Sequence, residues 1–204
     1  MLSKLKTAST RTLLDALERL ILCVMFALLT YRVLHSIDET PINAVYVLSE
    51  GLVLVMILMR RATDQISIKP ADWLVAFAGT LLPMMLIPSG HGWSGGAVFL
   101  IAGLCISVGA KLTLRRSFGI VAANRGIKRT GLYGIVRHPM YLGYTVSNLG
   151  ALLINPSLFN ACLFIIWSMF QIMRIHAEER ILIQDPAYKA HVGLVRYRIL
   201  PLVY

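Results

Sequence analysis

GLYGIVRHPMYLGY, residues 131–144, sets a basic, glycine-punctuated stretch directly against a proline that opens an apolar run. Proline suits the first position of a helix, where no amide hydrogen is needed, so Pro139 predicts a helix start with His138 near its N-cap. The free amides and positive dipole end of such a helix suit an anion, with Arg137 or His138 to assist. A plainer reading stands beside it: Arg137 snorkels to lipid headgroups and His138 merely caps the helix.

The surroundings of this stretch are strongly apolar. The 204 residues are 57% hydrophobic and 15% charged, with a mean hydropathy of +0.69, a balance that leaves too little polar surface to coat a soluble domain. The chain reads as an all-α integral membrane protein. Its net charge of +10, from 20 Lys and Arg against 10 Asp and Glu, marks cytoplasmic loops rather than a nucleic-acid surface. Cys23, Cys105 and Cys162 stand singly in apolar segments without CxxC spacing, which excludes a disulfide framework or zinc cluster and reads as core thiols. The N-terminal stretch carries Asp15 and Glu18 and lacks a small-residue cleavage signal, so it reads as a retained first membrane helix.

Six apolar stretches follow one another, at roughly 17–34, 42–59, 72–88, 96–114, 139–154 and 157–175. A bilayer core takes about 20 helical residues, so the third and fifth are short or tilted. Arg60, Arg61 and Lys69 lie in one connection, and Arg115, Arg116, Arg125, Lys128, Arg129 and Arg137 in another, whereas PSGHGWSGG and INPS contain neither Lys nor Arg. The positive-inside rule then puts both termini and the two basic loops in the cytoplasm. Asn155-Pro156 leaves almost no linker between the last two segments, which predicts a tight antiparallel hairpin joining residues 137–141 to 174–179. The chain is one domain, 1–204: four helices over 1–114 on the substrate or lipid side, and a core over 115–204.

Polar residues within apolar segments cost energy. A carboxylate such as Glu50 at bilayer depth costs about 2.5–3.5 kcal/mol, so it should be paired, protonated or beside a wet cavity. Asn148 reads as a helix-packing contact. Arg174 and Glu178, four apart, share one helix face, for which an intrahelical salt bridge is the simplest account. The same opposite charges beside the glycine-rich loop would also match a zwitterionic ligand.

Taken together, RHPMYLG, a hairpin, EERILI, Tyr188 and RILP at 198–201 resemble the membrane-embedded isoprenylcysteine carboxyl methyltransferase family and its phospholipid N-methyltransferase relatives, over roughly residues 114–201. The resemblance implies a methyltransferase that uses S-adenosylmethionine, held between the hairpin and the C-terminal segment. It implies a cofactor pocket of Arg125, Gly126, Ile127, Lys128, Tyr133, His138, Pro139, Met140 and Tyr141, with Glu178 facing the cofactor's ammonium and Arg174 holding the acceptor carboxylate. No metal is implied. Asp185-Pro186 and His191 depart from the family's pattern, which implies a different lid over the cofactor.

The residues fit these roles. A carboxylate nucleophile is already ionised at neutral pH, so its methylation needs alignment more than a general base, and Arg174 offers a planar donor fork. The leading expectation is therefore carboxyl O-methylation of a lipophilic, isoprenylcysteine-like acid. N-methylation of a phospholipid amine would need a base such as Glu50, Glu179 or His176. A third class is a membrane NADPH-dependent reductase or a non-catalytic membrane subunit; the chain contains no GxGxxG fingerprint.

Overall fold

The computed structural model describes residues 2–34, 51, 54–61, 63, 65–88, 91–201 and 203. Its helices are α1 (Leu2–Leu34), α2 (54–59), α3 (Pro70–Leu81), α4 (Gly96–Leu114), α5 (Pro139–Ile154), α6 (Leu158–Leu182) and α7 (Pro186–Leu194), with short 3-10 turns between. Among the described residues the only β pairing is an isolated bridge between Ile66 and Ala123. Glu50 and most of the second apolar stretch lie outside the described residues.

Two helical stretches, Gly96–Ser117 and Leu158–Leu182, are long and apolar enough to cross a bilayer. Their outward faces remain apolar: Val98, Ile101 and Leu112 on α4 and Ile165, Met169 and Ile172 on α6 are exposed. Such surface belongs in lipid rather than water. Cys105 and Cys162 point outward with them, so neither is the core thiol expected from its apolar neighbours.

The tightest packing in the fold joins α4 to α5. A Cβ added to Gly103 would lie 2.2 Å from the Ser147 nitrogen; one on Gly143 would lie 2.5 Å from the Ser107 nitrogen, and one on Gly150 2.3 Å from the Leu100 nitrogen. The two backbones therefore run antiparallel in direct contact along a seam that only small residues allow. Asn148, half-buried, donates from Nδ2 back to the Tyr144 carbonyl of its own helix at 2.9 Å.

Pro139 starts α5 with His138 at its N-cap. Ser157 caps α6, accepting from the Asn160 amide at 3.0 Å, so the α5–α6 connection is only three residues long. Across the far end of the hairpin the Tyr141 hydroxyl donates to Glu178. The expected juxtaposition of 137–141 with 174–179 is present. On its other side α6 packs on α3, where Gly79 has no Cβ to obstruct the Arg174 chain and its carbonyl accepts from Trp167 Nε1 at 2.9 Å.

The loop chain 60–67 runs beside 116–124. Arg61 N donates to the Arg116 carbonyl, Ser67 N to Ala122 and Asn124 N to Gln65, all at 2.8–3.0 Å. Beneath this clamp lies a buried ion cluster. Arg60 pairs with Asp15 at 2.6 Å and with Glu18 at 2.9 Å, and Arg125 reaches Asp15 at 3.3 Å. Arg60 and Arg125 are thus not the solvated loop charges that a topology count assumes.

Candidate active site

A cavity open to solvent lies where α4, α5, α6 and α7 meet the 117–128 loop. Its wall includes nine of the expected residues: Arg125, Gly126, Ile127, Lys128, Tyr133, His138, Met140, Tyr141 and Glu178. Pro139 and Arg174 are not part of that wall. Pro139 is buried at the helix start, and Arg174 stands behind Tyr141.

The loop side is shaped by Gly126, whose φ of +102° is a conformation open to glycine but strained for other residues. Asn124 Oδ1 accepts from the Gly126 amide at 3.0 Å, and Ser117 Oγ donates to the Arg125 carbonyl at 3.0 Å. The Arg125 guanidinium turns away toward α1, over Gly119, where a Cβ would lie 2.3 Å from it. Burial, with Arg60 alongside, pulls the Arg125 guanidinium down from its ordinary value, against the opposing effect of Glu18 and Asp15.

The start of α5 offers less free backbone than the sequence suggests. The Tyr141 and Leu142 amides both return to the His138 carbonyl, while the Arg137 and His138 amides donate to the Tyr197 and Arg198 carbonyls at 2.9 and 2.8 Å. The C-terminal segment has taken two donors that an anion would have used. Arg137 does not snorkel; it is buried and pairs with Glu179 at 3.0 Å.

The two adjacent glutamates have separate environments. Glu179 is held by Arg137, by Arg198 Nε at 2.8 Å, by His138 Nε2 at 3.3 Å and by the Tyr188 hydroxyl at 3.3 Å. Glu178 instead accepts from Tyr141, with His138 Nδ1 3.8 Å away, and faces the cavity. No Arg174–Glu178 pair forms among the described ion pairs, contrary to the simple expectation from their spacing. Tyr141 stands between them: its ring centroid lies 5.2 Å from the Arg174 guanidinium carbon, and its hydroxyl bonds Glu178. Arg174 makes two long bonds, to Gln171 Oε1 and the Ile120 carbonyl, both at 3.3 Å, and its Nε is unpartnered among the described residues.

α7 closes the far wall. Asp185 caps it through the Ala187 amide at 2.8 Å and accepts from Asn124 at 2.9 Å, which ties α7 to the loop. These two bonds hold the Asp185 carboxyl below its usual value. Tyr188 and His191 line the cavity; in the sequence they entered only as a motif residue and as a departure that implied a different lid, not as pocket residues. Burial, then Glu179, pushes the Tyr188 phenol up, and burial, then Glu178, does the same at Tyr133. His191 is held below its ordinary value by burial and by Arg129, Arg137 and His138. Its Nε2 is buried without a partner among the described residues.

These features suit S-adenosylmethionine. His191 Nε2 is without a partner among the described residues, the Glu178 carboxylate faces the cavity, and Tyr133, Tyr141 and Tyr188 supply aromatic walls. Glu178 would take an ammonium or sulfonium charge. No group of three or more metal-ligating side chains occurs among the described residues.

None of the curated proteins compared matches this chain. Residues 92–188, just under half of it, match the family model described as phospholipid methyltransferase. That stretch contains α4, α5, α6, the 117–128 loop and Tyr188, nearly the whole cavity wall, so the part of the chain that builds the cavity is similar to the phospholipid methyltransferase family.

Proposed function

We propose that the protein is a multi-pass membrane enzyme with six spans and a cytoplasmic active site. In this reading it uses S-adenosylmethionine to O-methylate the carboxylate of a lipophilic, isoprenylcysteine-like acid. The observation that carries the acceptor class is Arg174. It is buried against Tyr141, one ring from Glu178, and its two hydrogen bonds are long enough to be exchanged for a carboxylate.

When bound, the cofactor supplies an electrophilic methyl group. Glu178 binds its cationic end, and Tyr141 keeps Glu178 oriented by donating to it. Tyr133, Tyr188 and Met140 enclose the remainder and exclude water. Arg174 orients the acceptor's ionised carboxylate, so no proton has to move before attack.

N-methylation of a phospholipid amine is the second reading, favoured by the description of the matching family. It requires a base for the ammonium proton. Glu179, one candidate, is committed to Arg137 and Arg198, and His176 faces outward; with Glu50 outside the described residues, the two described candidates favour the carboxylate. The family match weighs for methyl transfer against a reductase. Labelling a lipid extract with methyl-labelled S-adenosylmethionine and then applying mild base separates the two readings. Methyl esters release labelled methanol, whereas label that survives base overturns O-methylation. Arg174→Ala should abolish transfer while leaving cofactor binding measurable, and normal turnover by that variant rejects the role given to Arg174.

A further inference from the structure

The seam between α4 and α5 ends at a lysine that no described group neutralises. Lys111 is fully buried, yet its Nζ finds no hydrogen-bond acceptor and pairs with no carboxylate among the described residues. Arg60, Arg125 and Arg137, also buried, each have a carboxylate oxygen within 3.3 Å. What Lys111 has is the ring of Tyr144, 5.1 Å from its ammonium. A cation–π contact of this kind offsets only part of the cost of removing an ammonium from water.

Its place in the fold indicates what completes it. Ser107 abuts Gly143, so one antiparallel turn further along α4 Lys111 is level with the start of α5. Leu114, three residues on, already lines the cavity together with Met140 and Tyr141. Tyr144 is only partly buried and meets Tyr141 edge-on at 6.3 Å. Lys111 and Arg174 therefore stand at opposite ends of one pair of tyrosine rings. The outer face of α4 beside them, including Ile101 and Leu112, is exposed and apolar. An anion attached to a lipid chain can follow that face to the ammonium; a small hydrated anion cannot do so without shedding its water.

We propose that Lys111 is the capture site for the acidic head of the lipid acceptor, an oxyanion, either carboxylate or phosphate, carried at the end of an apolar chain. The ammonium donates charge-assisted hydrogen bonds to it, and Tyr144 covers the pair. A carboxylate then passes along the tyrosine rings to Arg174, whereas a phosphate stays at Lys111. The assignment rests on the lipid methyltransferase reading, but its test reads binding and does not depend on turnover.

The full chain in neutral detergent is titrated with N-acetyl-S-farnesylcysteine, with the uncharged carboxamide of the same compound, and with phosphatidylethanolamine. Wild type, Lys111→Met and Lys111→Arg are compared, and S-adenosylmethionine affinity is measured by calorimetry in each. Loss of one charge-assisted contact predicts that Lys111→Met weakens the acid or the phospholipid by roughly tenfold or more. Carboxamide and cofactor affinity should stay within about twofold, a change worth well under one tenfold step of free energy. Lys111→Arg retains most of the lost affinity. Dependence confined to the acid identifies a carboxylate, and dependence confined to phosphatidylethanolamine a phosphate.

The inference is overturned if Lys111→Met leaves both oxyanion-bearing probes unchanged, if it weakens acid and carboxamide equally, or if wild type binds neither oxyanion-bearing probe. It is also overturned if the ligand-free variant melts lower with acid affinity intact, because the protein itself would then hold the ammonium. Lysine-dependent binding without any methyl transfer would uphold the capture site and reject the enzyme reading; full transfer with unchanged KM in Lys111→Met would do the reverse.

Discussion

The Glu18 carboxylate on α1 accepts a hydrogen bond from the Val121 amide at 3.0 Å, and the same oxygen accepts from Ile120 at 2.9 Å. A fully buried acid a hundred residues upstream thus holds the backbone of the loop that walls the cavity. Arg60 balances its charge at 2.9 Å. The site therefore extends beyond the stretch that matches the family, which begins at residue 92.

Glu18→Gln should destabilise the protein by about 3 kcal/mol or more, since it leaves Arg60 partly uncompensated in a buried cluster. Thermal unfolding in detergent measures the loss, and calorimetry should show weaker cofactor binding as the loop loosens. A variant with wild-type stability and cofactor affinity would refute the positioning role.

Tyr141→Phe removes the hydroxyl that orients Glu178 but keeps the ring beside Arg174. Removing a hydrogen bond to a charged group costs about 1.5–3 kcal/mol, so cofactor affinity should fall by roughly ten- to a hundredfold. Isothermal titration reads this directly. Unchanged affinity would show that the pair does not serve the cofactor.

Gly103→Ala forces a Cβ into the Ser147 backbone across the α4–α5 seam. Overpacking of this kind costs about 1–3 kcal/mol and more where backbone has to move. Gly109→Ala, on the same helix, meets only the Leu132 Cδ1 at an ordinary 3.6 Å; it should be neutral or gain up to about 1 kcal/mol of helix propensity. Equal melting temperatures for the two variants would contradict the seam.

Protonation of His191 should weaken the fold. Its folded pKa lies below the unfolded value, so the unfolded chain binds more protons in the interval between them. The stability that neutral His191 contributes is full above an unfolded pKa of about 6.5 and is lost as pH falls through the lower folded value. Melting temperature should decline from pH 7 toward pH 5, and His191→Asn should flatten that part of the profile. An unchanged slope in the variant would assign the decline elsewhere.

The helical class, the start of α5 at Pro139 and the α5–α6 hairpin were legible in the sequence because each depends on local spacing, and nine residues of the cavity wall were named through the motif's resemblance to a known family. Proline at a helix start, a linker of three residues and a continuous motif place their neighbours whatever the rest of the chain does. The roles of the charges were not legible in the same way. Arg60, Arg125 and Arg137 looked like loop cations, and their burial depends on Asp15, Glu18 and Glu179, which are distant in sequence.

Arg174 and Glu178 show the same division. Their four-residue spacing determined that they share a face of α6, but it could not determine whether they pair. Tyr141, delivered by a different helix, separates them and contacts both. Composition pointed to a lipid environment, and the motif named nine residues that the structure brings to one cavity. Only tertiary structure decided which buried charges are neutralised within the described residues and which, like Lys111, find no partner among them, because compensation of a buried charge depends on distances across elements rather than on position in the chain.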